Sequence, residues 1–202
     1  RPLPYVKHNN ALPAPPIDAR GFHVFLSHVW GTGQDQMRIV KQRLLEMIPD
    51  LSVFLDVDDL EDISDLEGYI DRTQFIFIYC SKGYFQSKNC LREIISSYTK
   101  DKSIMACVDH DQGRGGLSLE QIKEQLVEAE GSYGKWGFAE DAPKGDALYA
   151  KLFEHEALEW ERIGAFQDVT MRLIAERVLY ANEVQTPSGR MLTRIKTDLG
   201  GK

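Results

Sequence analysis

The stretch "QFIFIYCSKGYFQSKNCLREIIS", residues 74–96, reads as a strand running through a polar turn into a helix. Residues 74–80 are a nearly continuous apolar run, the pattern of a strand covered on both faces. Further along the period changes. At about 100° per residue, Cys90, Ile94, Tyr98, Leu91 and Ile95 form one apolar arc. Glu93 falls about 60° outside that arc, on its edge beside Ser97 and Asn89. A carboxylate there is either an ordinary solvated boundary residue or the one acid of an active site at the rim of a sheet.

The flanking sequence repeats the alternation. "FHVFLS" (22–27) is a short apolar run that suits a buried strand. "QDQMRIVKQRLLEMI" (34–48) places Met37, Val40, Leu44 and Ile48 on one helical stripe, and Pro49 ends it. "LSVFLDV" (51–57) is a second strand, followed by the acidic "DDLEDISDLEG" and a short helix around 65–72. "SIMACVDHD" (103–111) is a fourth strand. Strand and helix alternating in this way predict βαβ units, hence an α/β fold with a parallel sheet and helices on both faces. Ligands of such folds sit outside the carboxyl ends of the strands, so the loops after Ser27, Asp56, Cys80 and Asp109 are the places to search.

The ends of the chain carry less pattern. Residues 1–20 hold five prolines and no periodicity, and read as an extended linker or arm. A single domain is expected over 21–180, with an insertion around 117–150. "LSLEQIKEQLVEAE" (117–130) predicts an amphipathic acidic helix, and the Gly-rich 131–147 a loop. Residues 147–180 predict one or two more helices, the later with Phe166, Val169, Leu173 and Val178 facing inward. Residues 181–202 read as a mildly basic, flexible tail.

Composition narrows the function. The chain has 202 residues, 43% of them apolar, and a net charge of -7. That balance argues against a general nucleic-acid binder, which needs a concentrated basic face. Cys80, Cys90 and Cys107 lie in or beside apolar runs with no close-spaced pair, and read as buried reduced thiols in a reducing, cytoplasmic compartment. No apolar stretch approaches the roughly 18 residues of a membrane span, and no signal-peptide pattern opens the chain. Its first residue is Arg rather than Met, which fits a fragment of a longer protein.

Three constellations stand out at the expected strand ends. In "FLSHVWGTGQ", Gly31 and Gly33 would let backbone approach a phosphate near a helix N-terminus, although without a GxGxxG pattern simple turn glycines are the default explanation. Trp30 could stack on a planar ring, and His28 reads as a hydrogen-bonding structural histidine at the same loop. Asp56, Asp58 and Asp62 crowd the second loop without the glycine and closing glutamate of a calcium loop, so no metal is expected there and an exposed interaction loop is the better reading. Ser27 and His28, as strand neighbours, point to opposite faces. No Ser-His-Asp, Cys-x-x-Cys or His-Glu-x-x-His pattern is present, which leaves Glu93.

Together "HVFLSHVWGTG", "VFLDVDDLED" and "IFIYCSKGYFQSKNCLREI" resemble the Toll/interleukin receptor (TIR) domain, in particular a variety found in multi-domain proteins of algae and other protists. The three blocks occur in the family's order over roughly residues 21–110. The resemblance implies a flavodoxin-like, three-layer fold with a five-stranded parallel sheet. It implies two roles. Some TIR domains assemble with other TIR domains, often through the loop that Asp58, Asp59, Leu60 and Glu61 would form. Others cleave NAD+ at the nicotinamide–ribose bond, releasing nicotinamide and ADP-ribose or its cyclic form, with an essential glutamate at the position of Glu93. NAD+ would then be the substrate and no separate cofactor would be needed. Trp30, Gly31, Gly33, His28, Ser87 and Cys90 would form the substrate-binding surface, and signalling or defence would be the context.

Overall fold

A computed structural model describes residues 14–55 and 65–180. Five parallel strands form one sheet: β1 (Phe22–Ser27), β2 (Val53–Leu55), β3 (Thr73–Cys80), β4 (Ser103–Val108) and β5 (Leu158–Glu159). Their order is β2-β1-β3-β4-β5. Seven helices connect them among the described residues: α1 (Trp30–Met47), α2 (Leu66–Asp71), α3 (Lys88–Thr99), α4 (Leu119–Ala129), α5 (Tyr133–Trp136), α6 (Gly145–Leu152) and α7 (Gly164–Tyr180).

Strand alternation sorts the core into two layers. Phe25, Phe54, Ile76, Ile78 and Cys80 pack with residues of α2, α3, α4 and α6 on one face. Val24, Leu26, Phe75, Phe77 and Tyr79 pack with α1 and α7 on the other. With one side chain of every pair buried on each face, β1 and β3 have no polar face to alternate with, hence the unbroken apolar runs. The chain moves outward from β1 to β2, then returns past β1 to β3. Strand order therefore reverses between the carboxyl ends of β1 and β3, where Ser27 lies in register with Ile78. A reversal of this kind leaves a crevice above the sheet, because the flanking connections depart to opposite sides.

Several boundaries differ from the sequence expectation. Helix α1 begins at Trp30 rather than near 34, so Gly31 and Gly33 are helical. Strand β4 stops at Val108, because Asp109 turns its carboxylate onto the Asp111 N–H (2.9 Å) and its carbonyl onto Leu117 (3.0 Å). The Gly-rich stretch expected as a loop over 131–147 holds α5 and the start of α6, and Gly145 fits where a Cβ would lie 2.7 Å from the Leu126 carbonyl. In α7 the expected inward set fails at three of four positions. Phe166, Val169 and Leu173 are 55%, 56% and 42% exposed, whereas Thr170, Met171, Ile174, Ala175 and Val178 are buried. Both sides of this helix are apolar, so periodicity could not choose between them. The choice is fixed by Thr170, whose hydroxyl donates to the Glu159 carbonyl at 2.8 Å, and by Asp168, which pairs with Arg43 on α1.

Residues 14–20 of the expected arm run back to the sheet. His23 Nε2 hydrogen-bonds the Pro15 carbonyl at 2.7 Å, and Gln74 donates to that of Pro16 at 3.3 Å. The acidic loop of Asp58, Asp59, Leu60 and Glu61, with Asp56 and Asp62, lies outside the described residues, as do residues 1–13 and the 181–202 tail.

Candidate active site

Helix α3 starts at Ser87, whose hydroxyl accepts the Cys90 N–H at 3.4 Å and so satisfies one of the orphaned first-turn donors. On the solvent side Arg92 clamps α3 to α2 through two bonds to Glu67, Nε to Oε1 at 2.9 Å and Nη2 to Oε2 at 2.7 Å. That clamp helps fix the rotation of α3 about its axis, and the adjoining Glu93 turns inward.

Glu93 is 3% exposed. The helical wheel put it on the edge of the apolar arc, yet its side is covered by the turn that precedes the helix. Gly83, with φ 89°, reverses the chain there, and a single 3-10 turn, Tyr84–Gln86, carries the Tyr84 ring beneath the sheet's carboxyl edge. There the Ser27 hydroxyl, at the last residue of β1, donates to Glu93 Oε2 and also hydrogen-bonds the Tyr84 phenol. All three side chains are buried. Burial first, and the negative charge of Glu93 second, hold the Tyr84 phenol pKa well above its ordinary value, so it remains a proton donor.

Around this cluster, the expected substrate-binding residues fall into two groups. Trp30 is 60% exposed at the first position of α1, and Gly31 beside it has open space where a Cβ would be. The residue before α1, Val29, has no side-chain group to cap the helix. Trp30 and Gly31 lie at the surface, at the start of α1. The other four serve the framework. Gly33 is buried, with a hypothetical Cβ only 3.0 Å from His28 Cβ and 3.1 Å from Tyr79 Cδ1. His28 is buried and its Nδ1 lies 3.4 Å from the Leu26 carbonyl oxygen. Cys90 donates its thiol to the His28 carbonyl at 3.5 Å, stitching α3 to the loop after β1. Ser87 is the helix cap. Thr32 adds a further tie, bonding Ser81 Oγ and the Lys82 carbonyl, each at 2.9 Å.

Two residues of the cluster escaped sequence reasoning. Ser27 drew notice only as the neighbour of His28, although its place as a small polar residue ending a fully apolar strand was a usable signal. Tyr84 gave none, because an aromatic in a turn looks like any other core residue. A second polar group lies at the ends of β3, β4 and β5: the Tyr79 hydroxyl donates to Asp109 Oδ2 at 2.8 Å, and Arg162 pairs with the same carboxylate. Among the described residues no group of three or more His, Cys, Asp or Glu could hold a metal ion, and no helix is long and apolar enough to cross a membrane.

No protein-family profile matches the chain, and no curated protein matches it. Solved structures do. The TIR domains of the activated Roq1 resistosome, which directly recognizes the pathogen effector XopQ, align with a TM-score of 0.52 at 16% identity, over 77% of this chain and 98% of that one. The fold is that of a TIR domain. The TIR domain of the Toll-related receptor TRR-2 from the lower metazoan Hydra magnipapillata also aligns, with a TM-score of 0.47 at 9% identity, over 78% of this chain and 98% of that one. In this TIR fold Ser27, Tyr84 and Glu93 come together at the reversal of strand order.

Proposed function

We propose that this TIR-fold domain cleaves NAD+ at the nicotinamide–ribose bond, with Glu93 as the catalytic carboxylate. One observation carries the reading: a buried carboxylate, oriented by a hydroxyl from the end of β1, at the reversal of strand order, the place where doubly wound sheets bind their ligands. In the reaction the bond from ribose C1′ to the nicotinamide nitrogen breaks, and its electron pair returns to the ring. Nicotinamide leaves neutral, so no general acid is required. The ribose passes through an oxocarbenium-like state whose positive charge an adjacent carboxylate stabilises. Water then adds to C1′ and releases a proton to give ADP-ribose; attack by the adenine instead gives the cyclic product. Trp30 would pack against the nicotinamide or adenine ring, and the start of α1 around Gly31 would face the diphosphate. Ser87, Cys90, His28 and Gly33 would support the pocket wall from behind. The working context we propose is cytoplasmic signalling or defence.

A second reading rests on a different observation. Ile163, just before α7, and Phe166, Val169 and Leu173 on it expose large apolar side chains. That stripe favours a domain that works by assembling with other TIR domains, with or without turnover.

The test is NAD+ consumption by concentrated purified protein, with products separated by chromatography and Glu93→Ala and Glu93→Gln run alongside. Nicotinamide release by the wild type, lost at least 100-fold in both folded variants, supports catalysis. Equal rates in the variants remove Glu93 from the mechanism. A wild type that stays silent even when forced to cluster leaves the assembly reading.

A further inference from the structure

With Glu93 ionised, as its proposed catalytic role requires, the buried cluster has a single proton order. An ionised Glu93 can only accept, and Ser27 donates its hydroxyl hydrogen to Glu93 Oε2. Ser27 has one such hydrogen. Its contact with Tyr84 must therefore be filled by the phenolic hydrogen, with Ser27 Oγ accepting. The chain of donors runs one way, from Tyr84 to Ser27 to Glu93.

We infer that Tyr84 is a positioning residue for Glu93, acting through Ser27 to fix the carboxylate in the orientation the reaction needs. This rests on the proposed role of Glu93. A serine hydroxyl alone is a free rotor, and its oxygen swings between staggered positions. The Tyr84 hydrogen bond selects the one that points at Oε2. Tyr84 itself cannot drift. Its backbone N–H bonds the Ser81 carbonyl at 3.0 Å and its carbonyl accepts from Ser87 at 3.2 Å. Its ring meets Phe85 edge to face at 5.0 Å. A rigid phenol thus holds a mobile hydroxyl, and the hydroxyl holds the carboxylate. Bonds aligned in one direction also polarise one another, which strengthens the donation that Glu93 receives. The phenol's elevated pKa keeps its hydrogen in place.

The experiment is a double-mutant cycle with two readouts. Tyr84→Phe keeps the ring and removes only the hydroxyl; Ser27→Ala removes the intermediate link; the double variant carries both. The first readout is the carboxyl carbon-13 resonance of Glu93 at fixed pH, in glutamate-labelled protein, assigned through Glu93→Gln. It needs no turnover, so it stands even where the NADase reading fails. The resonance is expected to move in Tyr84→Phe and in Ser27→Ala, with no further movement when Tyr84→Phe is added to Ser27→Ala. The second readout is steady-state kinetics: kcat is expected to fall about 10-fold in Tyr84→Phe with KM nearly unchanged, the effect of losing one hydrogen bond to a charged group. Ser27→Thr, which retains a hydroxyl, is expected to keep a Glu93 resonance close to the wild type. An unmoved resonance in Tyr84→Phe overturns the inference. So do effects of the two single changes that simply add, since a residue acting through Ser27 has nothing left to act on once Ser27 is gone.

Discussion

Two glycines two positions apart in the first turns of α1 are held to different tolerances. At Gly31 a methyl group meets nothing within 4 Å. At Gly33 it would press on His28 Cβ at 3.0 Å and Tyr79 Cδ1 at 3.1 Å, both held by the sheet. Gly31→Ala is therefore expected to leave stability unchanged or raise it by up to about 1 kcal/mol, since alanine is the better helix former. Gly33→Ala should lose about 1–3 kcal/mol by overpacking. Thermal melts of the two variants separate them, and equal melting temperatures would show that α1 can move away from the sheet. The pair also marks how far sequence reading reached. A Gly-x-Gly after a strand suggested phosphate contact for both, and only the position of Tyr79 on the neighbouring strand separates a surface residue from a packing residue. Glu93 makes the same point. The wheel put it at the edge of an arc through Ile95 and Tyr98, whereas the buried face is turned toward Glu93, Ser96 and Ser97 and Tyr98 is 38% exposed.

At the scale of elements, α7 is the helix that periodicity misjudged. It carries apolar residues on two sides, and one side is spent on the sheet and α1 while the other is left outside. An exposed row of Ile163, Phe166, Val169 and Leu173 is a surface that association would bury. Under the assembly reading, Phe166→Glu and Leu173→Glu are expected to abolish the rise of light scattering with protein concentration while far-UV circular dichroism stays as in the wild type. Scattering that is indifferent to both changes moves the contact elsewhere. The elements that periodicity read well, β1 and β3, have a single unambiguous pattern, a strand buried on both faces; in α3 the buried face is rotated from the expected arc, with Tyr98 exposed and Glu93, Ser96 and Ser97 buried. The Gly-rich 131–147 stretch was unreadable because its helices are short and Gly145 is there for close backbone approach, a requirement set by α4.

At the scale of the whole molecule, buried acidic side chains keep their protons longer than they would in the unfolded chain. Burial pushes up the thiols of Cys80 and Cys107 and the phenol of Tyr84. In the unfolded chain thiols ionise near about 8.5 and tyrosine near about 10. Above those values the folded state binds more protons than the unfolded one, so stability falls as pH rises. It is fully present below pH about 8.5. Each group then removes about 1.4 kcal/mol per pH unit once its unfolded form has ionised. The urea midpoint is expected to fall between pH 8 and 11, and to fall less steeply in Tyr84→Phe and Cys107→Ala. A midpoint constant over that range would mean these groups reach solvent in the native state.

The sequence by itself determined the α/β class and the sheet's central strands, because hydrophobic periodicity is a local property written within each segment. Those features depend on neighbours a few residues away. The partnership of Ser27, Tyr84 and Glu93 does not. It joins positions 57 and 66 residues apart in the chain, and no local pattern encodes it. Only the tertiary structure decided it, by reversing the strand order between β1 and β3 and turning the chain at Gly83, so that a strand end, a turn and a helix deliver three oxygens to one buried point.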